Sequence, residues 1–98
     1  MGRTPREKPA RLAEKLTYIR RALGLSQDEM IRRLGIEDQL TREEISKYER
    51  GLRTPSLLTL LKYARSVGVI VDELIDDELD LPRSLPVSAG RLSIKGTK

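Results

Sequence analysis

LGLSQDEMIRRLGIEDQLTREEISKYERG, residues 23–51, places two short helices one after the other. Gly24 closes whatever precedes it, and Ser26-Gln27-Asp28-Glu29 then fits the S-x-x-E capping box. There the serine hydroxyl and the glutamate carboxylate each satisfy an orphan N–H at a helix start. The acids also face the positive end of the helix dipole. Met30, Ile31 and Leu34 recur at helical spacing, and Gly35 ends the run. Residues 36–40 (IEDQL) form a connection. Thr41-Arg42-Glu43-Glu44 repeats the capping-box pattern and predicts a third helix from about Arg42 to Arg50. Ile45 and Tyr48 point inward on it, and Gly51 is its stop.

Outward from that pair the same periodicity continues. From Ala10, Leu12, Leu16, Ile19 and Leu23 follow one another at steps of four, three and four, one stripe of a longer first helix. Thr54-Pro55 reads as an N-cap followed by proline at the first helical position. Leu57, Leu60, Leu61 and Ala64 line the fourth helix that follows, and Val67-Gly68 closes it. Leu58 is surplus to that face and is expected to be exposed and available for a dimer contact. Val71 to about Glu78 gives a short fifth helix anchored by Leu74 and Ile75. No strand signal of any strength interrupts residues 10–78. The fold class is therefore all-α, a compact bundle of five short helices. Residues 1–9 read as a flexible basic arm, residues 10–78 as the domain and residues 79–98 as a tail. Within the tail, RLSIK (91–95) alternates enough to form a strand if an edge is offered.

Composition narrows the chemistry. The chain has 98 residues, enough for one small core, and contains neither cysteine nor histidine. Structural zinc, iron–sulfur clusters and disulfides lose their ligands or partners, and a Ser-His-Asp or Cys-His engine lacks its base. No paired carboxylates stand at active-site spacing, so neither an enzyme nor a cofactor is expected. The net charge of +4 conceals a basic body, an acidic block of six acids and no base at residues 72–80, and four bases with no acid at 81–98. Clustered Lys and Arg suit a polyanionic partner. No apolar run reaches the ~18 residues of a membrane span, and the basic N-terminus lacks a secretory apolar core. A soluble cytoplasmic protein is expected.

Two capped short helices held out by a longer one are what a helix-turn-helix requires. LGLSQDEMIRRLG (23–35), ISKYERGLRTPSLLTLLKYARSVGV (45–69) and DEL (72–74) together resemble the phage-repressor-like, Cro/C1 or XRE-type helix-turn-helix family, over about residues 11–76. The resemblance implies a lambda-repressor-like DNA-binding domain whose third helix enters the major groove. On this chain Arg42, Glu43, Ser46 and Lys47 would then face base edges, with Arg42 suited to guanine and Glu43 to cytosine N4. Gln27, Arg50, Arg53 and Thr54 would meet phosphates. Arg20 and Glu49 match positions that form an ion pair between the first and third helices. Glu44 is expected to be only a first-turn acid. Arg3, Arg6 and Lys8 of the arm could lie along an adjacent groove.

Three features depart from the family pattern. The connection before the third helix carries about four extra residues, including Glu37 and Asp38. Ile31 stands where the family has a small residue, which suggests that the two helices sit further apart or at a changed angle. Ile70 replaces the polar cap before the fifth helix, so that helix is expected to begin raggedly or to pack through Ile70 and Val71. The implied function is a transcriptional regulator, a repressor by default, that binds double-stranded DNA as a homodimer. The alternative is a protein-interaction module such as an antitoxin or adaptor, with its partner surface at 72–98.

Overall fold

The computed structural model describes residues 8–82 and 85. Arg3 and Arg6 of the arm and the RLSIK segment lie outside the described residues. Five helices follow in order: α1 Leu12–Leu23, α2 Gln27–Leu34, α3 Arg42–Glu49, α4 Leu57–Val67 and α5 Val71–Ile75. Among the described residues there is no strand. Nor, among them, is any helix long and apolar enough to cross a membrane.

One apolar cluster joins the five helices. Leu16, Ile19, Met30, Ile45, Tyr63, Val67 and Leu74 are almost wholly buried in it. Each such aliphatic side chain contributes about 1.5–3 kcal/mol relative to leaving it in water. α3 packs on α1 and α2 and thus presents its opposite side outward. Ser26 caps α2 with the full box: its hydroxyl accepts from the Glu29 N–H at 3.1 Å, and the Glu29 carboxylate accepts from the Ser26 N–H at 2.8 Å. Those contacts hold the Glu29 carboxyl below its ordinary range.

The extra residues between α2 and α3 fold around Ile36. Gly35 takes φ +71°, open to glycine at little cost. The Gly35 and Ile36 N–H groups then donate back to Arg32 and Ile31, the paired bonds of a Schellman ending. That turn drives Ile36 into the core at 1% exposure, near the buried Ile31. The Ile36 carbonyl accepts from both Gln39 and Leu40.

Several local expectations give way to tertiary partners. α1 begins at Leu12 rather than Ala10, because the Asp77 carboxylate accepts from the Ala10 and Arg11 N–H groups at 2.8 and 3.0 Å. Thr41 makes no side-chain cap. Its box partner Glu44 instead accepts from Arg53 Nη1 at 3.1 Å. α4 is capped by Ser56 and not Thr54: the Ser56 hydroxyl accepts from the Thr59 N–H at 3.2 Å, while Pro55 is buried in the preceding loop. This later start rotates the buried face to Leu60, Tyr63, Ala64 and Val67, leaving Leu57 76% exposed and Leu58 69% exposed. Leu61 is half-buried.

α5 stops at Ile75, three residues early, and Ile75 is exposed rather than an anchor. Lys15, itself buried, donates to the carbonyls of Glu73, Asp76 and Leu79 and so terminates the helix. At the other end Ile70 has no side-chain acceptor and is exposed, yet its N–H donates to the Glu73 carboxylate at 3.2 Å. Val71 is half-buried and packs on the core. Beyond α5, Leu81 packs against the core and Leu85 is buried, so chain assigned to the tail contributes to the bundle.

Candidate nucleic-acid interface

α3 turns Ile45 and Tyr48 into the core and leaves Arg42 and Glu43 exposed, with Ser46 and Lys47 half-buried beside them. Its end is closed by paired bonds from the Gly51 and Leu52 N–H groups to Tyr48 and Lys47. Gly51, at φ +77°, makes this sharp exit possible. The chain emerging from it carries Arg50, Arg53 and Thr54, all exposed, along the same end of the molecule.

A polar clamp fixes this helix. Arg20 Nε and Nη2 donate to the two Glu49 oxygens at 2.7 and 3.0 Å, a bidentate pair with side chains only 15% and 6% exposed. Arg20 Nη1 also donates to the Leu25 carbonyl at 2.8 Å, just ahead of α2. Gln27 Nε2 donates to Glu49 Oε1 at 3.2 Å. One guanidinium and one carboxylate thus tie α1, the start of α2 and the end of α3 together. The Glu49 hydrogen bond raises the Arg20 pKa further. Behind the clamp, the Tyr63 hydroxyl is buried with no hydrogen-bond partner among the described residues, and burial pushes its pKa up.

Several of the side chains assigned to DNA have internal contacts. Arg50 Nε donates to the Ser46 hydroxyl at 3.2 Å, one helical turn back. Arg53 holds Glu44, and Arg42 Nη1 lies 3.7 Å from Asp28 Oδ2, a loose and exposed pair. Lys8 Nζ donates to the Gly51 carbonyl at 3.1 Å, which lays the end of the arm beside the loop that follows α3. Gln27, assigned to a phosphate, is half-buried with one amide N–H given to Glu49, and an amide has a second to offer.

The helix-turn-helix family HTH_3 matches residues 16–74, a span that begins in α1 and ends in α5. The chain belongs to that family. It is 36% identical over 64 residues to the uncharacterized HTH-type transcriptional regulator y4dJ of Sinorhizobium fredii, covering 65% of this chain and 78% of that protein. The crystal structure of hypothetical transcription factor NHTF from Neisseria superposes with a TM-score of 0.56 at 28% identity, covering 95% of this chain and 98% of that one. Within a helix-turn-helix, α2 and α3 are the paired helices, and the second of such a pair is the one that lies in the major groove. The outward side of α3 is thus the surface that the family architecture presents.

Four residues have roles that the sequence alone did not reveal. Lys15 sits three residues after Leu12 and four before Ile19, on the apolar stripe, so its spacing marked a buried position that its charge disguised. Asp77 and Arg11 meet across 66 residues, and nothing local to either announces the other. Glu44 reads locally as a capping-box partner and first-turn acid, whereas its carboxylate accepts from Arg53, nine positions on.

Proposed function

We propose that this protein is a sequence-specific double-stranded DNA-binding transcription regulator, a repressor that acts as a homodimer. The carrying observation is the outward side of α3, held at a set angle by the Arg20–Glu49–Gln27 clamp in a chain of the helix-turn-helix family. Arg42, Glu43, Ser46 and Lys47 read base edges. Gln27, Arg50, Arg53 and Thr54 hold phosphates around them, and Arg20 with Glu49 sets the helix that reads. One α3 offers too few base contacts for useful specificity, so a twofold pair reads half-sites about one helical turn, roughly 10 bp, apart. Repression follows from occluding the promoter.

The acidic block gives the interaction-module alternative less support than its charge suggests. Asp77 holds the start of α1, Asp80 accepts from Arg11 Nη2 at 2.7 Å, and Glu73 and Asp76 accept from the Ile70 and Glu78 N–H groups, so four of its six acids are engaged inside the domain.

The test is selection from a random duplex pool by the purified protein, followed by affinity measurement on the enriched site at fixed salt. An inverted repeat should emerge. Arg42→Ala or Lys47→Ala should then cost about 1–3 kcal/mol and relax the preference, while Arg53→Ala should weaken all sequences alike. Unchanged binding by all three variants would reject the assigned face.

A further inference from the structure

The proposed interface carries its own anions. Arg53 sits on the loop that leaves α3, and its Nη1 donates to Glu44 Oε1 at 3.1 Å, with side-chain exposures of 53% and 28%. Glu44 lies in the first turn of α3, the position from which it would complete a capping box with Thr41. That box is not formed, and the carboxylate goes to Arg53 instead. A guanidinium pairs with carboxylate and phosphate through the same donor geometry. A phosphate approaching Arg53 must therefore displace Glu44 or bear its repulsion, and either outcome weakens the contact.

We propose that Glu44 is an internal competitor for the phosphate that Arg53 binds, a brake that lowers affinity for every DNA sequence by the same factor. The inference rests on the DNA-binding reading above and deepens it. Phosphate contacts carry no sequence information, so the brake changes affinity and leaves specificity alone. The other acid paired with an arginine of this surface acts less. Asp28 lies 3.7 Å from Arg42 with both side chains more than half exposed, beyond hydrogen-bond distance and open to screening.

Glu44→Gln keeps the shape and an acceptor oxygen but removes the charge. At one fixed salt concentration it should tighten binding to random-sequence duplex about two- to fivefold, the range of an exposed ion pair. Binding to the selected site should tighten by the same factor, leaving the ratio of the two affinities unchanged. In an Arg53→Ala background the gain should vanish, because the competitor has nothing left to compete for. A gain that persists without Arg53 would overturn the proposal in favour of general repulsion between Glu44 and DNA. No gain, or a loss on both duplexes, would overturn it in favour of a purely structural Glu44. A wild-type protein that binds random duplex but selects no site sinks base reading, while the Glu44 comparison still reads out on random duplex. A wild-type protein that binds no duplex sinks both.

Discussion

Lys15 shows how far one side chain can govern this fold. Its ammonium group is a strongly hydrated point charge, yet the residue is only 3% exposed. It remains buried because three carbonyls, those of Glu73, Asp76 and Leu79, take the place of water at 2.7–3.0 Å. Those carbonyls belong to the end of α5 and the turn after it, where helix geometry leaves acceptors without partners. Lys15→Met keeps most of the apolar stem and strips all three donors. It should destabilise the domain by roughly 1–3 kcal/mol, the cost of leaving part-buried acceptors without their donor. Lys62→Met on an exposed position should shift stability by less than about 0.5 kcal/mol. Urea denaturation of both variants measures the difference, and equal midpoints would deny Lys15 this role.

At the scale of elements, the sequence displayed what is local and hid what is not. The Ser26 box and the glycine stops depend on residues within a few positions of each other, and they stand where the pattern puts them. Failures came wherever a distant group outbid a local one. Thr41 lost its box because Arg53 took Glu44. α4 takes Ser56 rather than Thr54 as its cap, with Pro55 buried in the loop before it, a burial that no window of sequence reveals. The inner face of α4 moved with that choice, exchanging Leu57 for Tyr63. The candidate site followed the same division. The outward positions of α3 were legible from helical spacing, whereas the Glu44 partner was not.

The cap of α1 belongs to this non-local class and carries a pH signature. Hydrogen bonds from the Ala10 and Arg11 N–H groups hold the Asp77 carboxyl below its usual range. The carboxylate form is thus favoured in the folded protein relative to the unfolded chain. Its contribution is complete above the ordinary aspartate pKa, about 4, and is lost as pH falls through the depressed folded-state value. Asp77→Asn should therefore lower the melting temperature at neutral pH, and the gap to wild type should narrow as pH drops from 5 toward 2. A gap that stayed constant across that range would show that Asp77 ionisation does not stabilise α1.

The whole molecule is asymmetric in its surface. One end gathers Lys8, Arg42, Lys47, Arg50 and Arg53 around α3, while α4 begins with Leu57 and Leu58 standing in solvent at 76% and 69% exposure. Single exposed leucines are ordinary on a small protein, whereas two adjacent ones at a helix start add up to a surface that a second copy could cover. In a homodimeric regulator that covering would couple two α3 helices into one reader. Leu57→Ser with Leu58→Ser tests the assignment, because neither leucine belongs to the core and each change should cost the monomer less than about 0.5 kcal/mol. On the proposed homodimer, analytical ultracentrifugation should give a dimer for the wild type and a monomer for the double variant. Binding to an inverted repeat should fall to the level of an isolated half-site, because linkage of the two recognition helices is what multiplies their affinities. A double variant that stays dimeric would place the twofold contact on another face of the bundle while leaving the proposed DNA-reading side of α3 as it stands.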